Sequence, residues 1–301
     1  MRVFVTGASG FIGSAVVPEL INAGHQVVGL ARSDTSAAAL TAAGAEVHRG
    51  ALDDLAALRA GAAASDGVIH LAFIHDFSQF ENAAAVDLRA IEALGSALEG
   101  SGRPLVVASG TLGLRPGRVA TENDMPEEGP GGGLRAASAR AALAFAGRGV
   151  RSSIVRLAPS VHGEGDHGFV PALIATAREK GVSGYVGDGA ARWPAVHRLD
   201  AAELFRLALE KAPAGSALHG TEEEGVPVRD IAGAIGRHLG VPVASVDPGE
   251  AAGHFGWMGA ALAADTPTSS ALTRELLGWR PARPGLLADL AAGHYFGGPA
   301  A

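Results

Sequence analysis

Short apolar runs alternate along the chain with longer segments in which apolar residues recur every three or four positions. Residues 2–6, 26–31, 46–50, 67–72, 105–108 and 153–157 form runs too short for helices and predict strands. The Ala/Leu-rich stretches 14–23, 36–43, 55–60, 81–99 and 134–148 predict the helices around them. Strands that are apolar at nearly every position have both faces buried. The alternation therefore predicts an α/β fold, a doubly wound parallel sheet with helices on both faces. Beyond about residue 160 the pattern is mixed and punctuated by Pro171, Pro194, Pro213 and Pro227, which predicts a smaller C-terminal lobe. The expected division is residues 1–160 for the sheet domain and 161–301 mostly for the lobe, with segments near 190–220 completing the sheet. Residues 123–133, rich in Gly, Pro and acid, predict a mobile loop, and residues 297–301 a frayed end. The chain carries no internal repeat.

Composition narrows the class. The 301 residues are 48% hydrophobic and 18% charged, which excludes a disordered chain. Gly occurs 43 times, about twice its usual share, but without a three-residue period, so a collagen-like chain is excluded too. The absence of Cys removes disulfide scaffolds, thiolate metal sites and Cys nucleophiles. A net charge of −7, with no basic clusters interleaved with aromatics, argues against a nucleic-acid partner. No G-x-S-x-G element of a serine hydrolase is present. The first residues lack the order of an export signal, and the longest stretch free of acids and bases, 3–18, is too short and too broken for a membrane span. The expectation is a soluble cytoplasmic protein without a membrane partner.

The clearest chemistry is Thr6-Gly7-Ala8-Ser9-Gly10-Phe11-Ile12-Gly13, which follows a predicted strand and opens a predicted helix. In that context Gly7 permits a tight turn, Gly10 lets the backbone approach a pyrophosphate, and Gly13 lets helix and strand pack closely. The helix N-terminus then offers free N–H groups to the phosphates. This motif makes the sheet Rossmann-type. The end of the second strand reads the ribose: an acid there holds a 2′-hydroxyl, whereas Arg without an acid suits a 2′-phosphate. Ala31 stands at that place, followed by Arg32 and Ser33. NADP(H) is expected over NAD(H), which stays possible.

These residues resemble the short-chain dehydrogenase/reductase superfamily, in its extended or atypical, NAD-dependent epimerase/dehydratase-like branch. Thr6 to Gly13 matches TGxxGxxG, and Val68-Ile69-His70-Leu71-Ala72 is similar to the fourth-strand segment lining the nicotinamide side. Val106-Val107-Ala108-Ser109-Gly110-Thr111 resembles the fifth strand, which ends in the family's catalytic Ser or Thr. Val155-Arg156-Leu157-Ala158-Pro159 resembles the sixth-strand segment beside the nicotinamide amide. Val196-His197-Arg198-Leu199-Asp200 is similar to HVxD, and Leu277-Gly278-Trp279-Arg280-Pro281 to LGWxP. The resemblance implies cofactor contacts at Thr6, Gly7, Ser9, Gly10, Phe11, Ile12, Gly13, Arg32, Ser33, Leu52, Asp53, Leu71, Ala72, Phe73, Leu157 and Pro159. It also implies Ser109 and Thr111 at the reaction centre.

Two features depart from that family. Its Tyr-x-x-x-Lys pair is missing: the two Tyr, Tyr185 and Tyr295, are followed four positions on by Gly189 and Pro299, and the two Lys are Lys180 and Lys211. Counting back from Arg156, Arg135 falls near the Lys position and Gly131 near the Tyr position. Arg135 suits a ribose contact but does not release a proton near neutrality. Ala51 replaces the Asp that often holds the adenine amine, leaving Leu52, Asp53 or Asp54 to serve there.

His75, His162 and His197 are candidate replacements for the Tyr, because imidazole exchanges protons near neutral pH. Asp76 offers a carboxylate for substrate, and Tyr185 and Trp193 are candidate pocket walls. Each also has a plainer reading as packing or backbone satisfaction. His162-Gly163-Glu164-Gly165-Asp166-His167 holds ligand-type side chains, but a short Gly-rich loop is a poor metal frame, so no metal is expected. The leading expectation is an NADP(H)-binding oxidoreductase that moves hydride to or from a small carbonyl, imine or activated alkene. A non-catalytic NAD(P)-binding sensor and a nucleotide-sugar epimerase or dehydratase are the alternatives. The two long apolar helices, 81–99 and 134–148, suit either a homodimer bundle or packing within one subunit.

Overall fold

The computed structural model describes residues 1–75, 79–114, 116–126 and 133–297, except the side chains of 133 and 134. The N-terminal part runs β1 (Arg2–Thr6), α1 (Gly13–Asn22), β2 (Gln26–Ala31), α2 (Asp34–Ala42), β3 (Glu46–Arg49), α3 (Leu55–Ala63), β4 (Gly67–His70), α4 (Phe80–Leu98), β5 (Pro104–Gly110), α5 (Gly133–Ala144) and β6 (Arg151–Leu157). The chain leaves the sheet through β7 (Ser160–His162), α6 (Phe169–Lys180), β8 (Ser183–Val186) and β9 (Arg192–His197). It returns along α7 (Arg198–Lys211) into β10 (Ser216–Gly220). It leaves again through β11 (Glu223–Pro227), α8 (Val228–Leu239), β12 (Val243–Val246), α9 (Ala251–Phe255), α10 (Met258–Leu262), α11 (Ala271–Leu277) and α12 (Leu286–Ala291).

The main sheet has seven parallel strands in the order β10-β6-β5-β4-β1-β2-β3. The order reverses between β1 and β4, and a parallel sheet opens a binding crevice at that switch point, beyond its strand ends. Alternation along each strand divides the core. Val3 and Val5 join α1, α2 and α7 on one face, while Phe4 joins α3, α4 and α5 on the other. Each such side chain gains about 1.5–3 kcal/mol from burial. A separate apolar core is built from α6, α8, α9 and α12 around Trp193. Two smaller sheets, β11-β9-β7 and β12-β8, frame it. Among the described residues no helix is long and apolar enough to cross a membrane.

Local chemistry fixes the helix starts near the switch point. Ser33 caps α2 in a reciprocal arrangement with Ser36, and Asp54 caps α3 by accepting the Ala57 N–H at 3.0 Å. Two segments read separately in the sequence meet at Asp200, on the first turn of α7. Its buried carboxylate accepts the N–H groups of Ala282 (3.1 Å) and Arg283 (3.0 Å), and its carbonyl accepts the Trp279 indole N–H (3.0 Å). This junction fastens the segment after α11 to the helix that returns the chain to the sheet. Charge-assisted bonds of this kind contribute about 1.5–3 kcal/mol each, so Asp200→Ala is expected to lower the unfolding free energy by about 3 kcal/mol. Urea denaturation measures it, and a loss below about 1 kcal/mol contradicts this role.

Candidate cofactor and substrate site

The glycine turn lies directly over the end of β4. Gly7 has φ +68°, and a Cβ on it would stand 2.7 Å from the Ala72 nitrogen and 2.9 Å from the Leu71 carbonyl carbon. Leu71 N–H donates to the Thr6 carbonyl (3.2 Å) and Ala72 N–H to the Thr6 hydroxyl (3.3 Å), which binds the turn to that strand end. A Cβ at Gly13 would stand 2.1 Å from the Gly7 carbonyl oxygen, so α1 packs as tightly against the turn. The N–H groups of Phe11, Ile12 and Gly13 find no acceptor among the described residues. The turn therefore presents free donors at the positive end of a ten-residue helix, and its residues fit a dinucleotide diphosphate. Ser9 and Gly10 are exposed there, and Leu71, Ala72 and Phe73 are half-buried beside it.

Behind the turn runs a buried polar chain. The Thr6 hydroxyl meets His70 Nδ1 at 2.8 Å, and His70 Nε2 meets an Asp87 carboxylate oxygen at 3.2 Å. With Asp87 ionised, Nε2–H donates to it and Nδ1 accepts from Thr6. Burial pushes the Asp87 carboxyl up, but the His70 hydrogen bond and the Arg135 charge outweigh it and hold the carboxyl low. Arg135 projects from α5 to the end of β5. Its guanidinium donates to the Ala108 carbonyl (3.2 Å) and lies 4.1 Å from the centre of the Phe73 ring. Burial lowers its pKa, and Asp87 opposes that shift. His70 and Asp87 were not singled out as site residues from the sequence. A signal existed: Asp87 sits on the α4 stripe of Ala83, Ala84, Ala90, Ile91 and Leu94, where every neighbour is buried and apolar.

The other expected residues divide into groups. Ser109 is half-buried at the end of β5, and Thr111 beyond it is buried, its hydroxyl without a partner among the described residues. Leu157 reaches Thr111 through its carbonyl, which accepts the Thr111 N–H at 3.0 Å, and Pro159 follows, half-buried. His75 stands at the mouth beside Phe73, with ring centres 5.2 Å apart. Its surroundings, then the Arg135 charge, push its imidazole below the ordinary range. It is therefore mostly neutral near pH 7 and has no extra proton to give. Asp76 and Gly131 lie outside the described residues. On the ribose side Arg32 is exposed with no side-chain partner among the described residues, and the Ser33 hydroxyl is engaged in its cap. Arg49, paired with Asp34 at 2.7 Å, ends the neighbouring strand and brings a second guanidinium to that edge, which the sequence reading did not include. Leu52 is half-buried and Asp53 exposed.

The lobe candidates are placed differently. Trp193 has no exposed surface, and its indole N–H donates to the Ala261 carbonyl (3.1 Å), so it is core rather than pocket wall. Tyr185 packs on that same core. His162 is wholly buried, bonded through Nδ1 to Asp289 at 2.9 Å and set edge-to-face against His197 at 5.4 Å. His197 uses its Nδ1 to accept the Leu199 N–H at the start of α7 (3.2 Å). Burial and then the His162 charge lower its pKa. These two imidazoles are brought to each other, and their hydrogen bonds go to Asp289 and to the Leu199 N–H.

A family model for the NAD-dependent epimerase/dehydratase family matches residues 3–219. The chain belongs to this family. An uncharacterized protein of Schizosaccharomyces pombe is 52% identical over 297 residues, covering 98% of this chain and all of the relative. Another, of Saccharomyces cerevisiae, is 50% identical, covering 98% of this chain and 99% of the relative. Among solved structures, MoeE5 in complex with UDP-glucose and NAD is 26% identical with a TM-score of 0.75, covering 98% of this chain and 97% of that one.

In this member of the family, the first part of the expected mobile loop is fixed rather than free. Arg156, wholly buried on β6, donates to the Asp124 carbonyl (2.8 Å) and to the Met125 sulfur (3.3 Å). The Asp124 carboxylate in turn takes Arg118 and the Thr121 N–H, which hold its pKa down to about 2. Residues 127–132 of the loop lie outside the described part. Arg156 also meets His219 Nε2 at 3.3 Å, while His219 Nδ1–H donates to the Ser269 carbonyl (2.8 Å). Both nitrogens are satisfied only in the neutral ring. Burial first, then the nearby guanidinium, lowers the His219 pKa from 6.5 to about 4. The unfolded chain then binds the extra proton, so this stability is complete above pH 6.5 and is lost as pH falls toward 4. Its size is of order 3 kcal/mol. Urea unfolding from pH 4 to 8 is expected to show that slope and His219→Gln to remove it; an unchanged slope would contradict the assignment.

Proposed function

We propose that this protein is an NADP(H)-linked oxidoreductase that reduces a small carbonyl, imine or activated alkene. The observation that carries the reading is the grouping of free turn N–H groups, the Arg135 cation and the Ser109 and Thr111 hydroxyls at the ends of β1, β4 and β5. The dinucleotide would lie across the switch point, its diphosphate on Phe11, Ile12 and Gly13 and its ribose toward Arg135. A bound reduced nicotinamide supplies hydride.

The residues of this chain then have distinct tasks. Ser109 and Thr111 hold the substrate oxygen by hydrogen bonds. Arg135 stabilises negative charge developing on that oxygen, because a guanidinium offers charge and donors but no proton near neutrality. Asp87 favours the charged form of this half-buried cation, and His70 carries the same chain of contacts to Thr6. Hydride delivery leaves negative charge on the substrate, and in a centre of this kind the proton that completes the product comes from water. The Tyr-x-x-x-Lys pair that carries this proton elsewhere in the superfamily is missing. Arg32, exposed and without a carboxylate partner among the described residues, supports a 2′-phosphate on the adenosine ribose.

Calorimetry is expected to give NADPH an affinity at least tenfold above NADH, with Arg32→Ala abolishing the difference. Equal affinities in the wild type would overturn the NADP preference. Reduced-nicotinamide absorbance, followed against aldehydes, ketones, imines and activated alkenes, is expected to fall with at least one class. Binding without turnover across that panel would favour the sensor, and interconversion of UDP-sugars with NAD would favour the epimerase reading.

A further inference from the structure

The segment from His162 to His167 has no task in the reading above. Its ligand-type side chains diverge: His162 bonds Asp289, while Asp166 bonds Tyr295 (3.1 Å). The loop is braced in several directions. Asp166 N–H donates to the Gly163 carbonyl (3.0 Å), and the Asp166 carboxylate accepts the Gly168 N–H (2.7 Å). The Tyr295 phenol oxygen accepts the Gly163 N–H at 2.9 Å. The C-terminal segment thus holds this loop in one shape.

That shape makes room for Arg198, the first residue of α7. A Cβ at Gly163 would stand 3.2 Å from Arg198 Cγ and 3.1 Å from His197 Nε2; one at Gly165 would stand 3.6 Å from an Arg198 guanidinium nitrogen. Both glycines have positive φ, +134° and +84°. The Arg198 side chain runs under the loop and ends on the glycine turn, its guanidinium carbon 5.3 Å from the centre of the Phe11 ring. His167 meets the same ring edge-to-face at 5.7 Å. Phe11 is the residue whose N–H, with those of Ile12 and Gly13, lacks an acceptor among the described residues.

Its place beside the glycine turn sets Arg198 apart from the other cations of the lobe. Several other lobe cations are occupied: Arg192 by Asp265, Arg178 by the Phe296 carbonyl, Arg274 by the Glu222 carbonyl. Arg198 pairs with no carboxylate among the described residues and rests only on an aromatic face. A guanidinium on the side chain of a turn whose N–H groups lack acceptors among the described residues is complementary to an anion with two phosphate groups.

We propose that Arg198, supported by His167, is the lobe's half of the dinucleotide diphosphate site, closing over the phosphates that the start of α1 holds from the other side. This rests on the cofactor reading above. Arg198 acts as a charge and His167 as a second, weaker donor, and the glycines of the loop serve to let the Arg198 stem pass. Lobe and sheet are then joined through the cofactor.

The test is calorimetric binding of ADP-ribose and of NADPH to the wild type, Arg198→Met and Arg198→Lys, at low and high salt. Methionine keeps much of the stem packing, and a thermal melt checks each fold. The expected result is at least a tenfold loss of affinity for both ligands in Arg198→Met, with most of it recovered in Arg198→Lys. Wild-type affinity should fall with salt, and Arg198→Met should be markedly less salt-sensitive. Unchanged ADP-ribose binding in a folded Arg198→Met would overturn the proposal. If only the KM of an anionic substrate then rose, the cation would belong to substrate instead. A wild type that binds neither ligand would overturn the cofactor reading, and this inference with it.

Discussion

The close crossing of the first turn over the end of β4 is the constraint on which the rest depends. A side chain at residue 7 would collide with the backbone of residues 71 and 72, so the crossing exists only because that side chain is missing. It brings Thr6 within reach of His70 and, through it, Asp87. It also sets the angle at which α1 leaves the sheet and hence where its free N–H groups point. Sheet order, phosphate turn and the buried polar chain are consequences of one contact between two strand ends.

Much of the fold was legible because its signals are local. The six N-terminal strands follow from apolar runs, and β1 and β2 have the bounds that hydrophobicity predicts. Buried parallel strands leave little freedom to misread such a pattern. The seventh strand, β10, is harder to see: Ser216 to Gly220 is short and includes His219, whose two ring nitrogens are satisfied by Arg156 and the Ser269 carbonyl. Those partners are distant in sequence, so nothing local reveals that the histidine is buried.

The site was legible in part. The glycine turn is a local device and could be read residue by residue. Asp87 could have been found from the α4 stripe alone. Trp193 could not be assigned from its neighbours, because whether an indole lines a pocket or fills a core depends on what packs against it. The same holds for His162 and His197, which look like candidate acids in sequence. In the fold, Asp289 holds His162 while His197 caps α7 through the Leu199 N–H. Titratable residues carry chemistry only where their partners leave an atom free, and partners are a property of tertiary structure.

The place of β10 has a consequence for how the chain acquires its structure. β6 is an edge strand until Ser216 to Gly220 arrives, and between them lie β7, α6, β8, β9 and α7. A polypeptide emerging N-terminus first therefore exposes an unpaired strand edge while more than fifty residues are still being made. That strand bears Arg156, one of whose partners, His219, belongs to the segment still to be made. Charge on an open edge discourages pairing with another chain. The residue that anchors a loop in the finished protein is thus also a charge on the open edge strand of the nascent one.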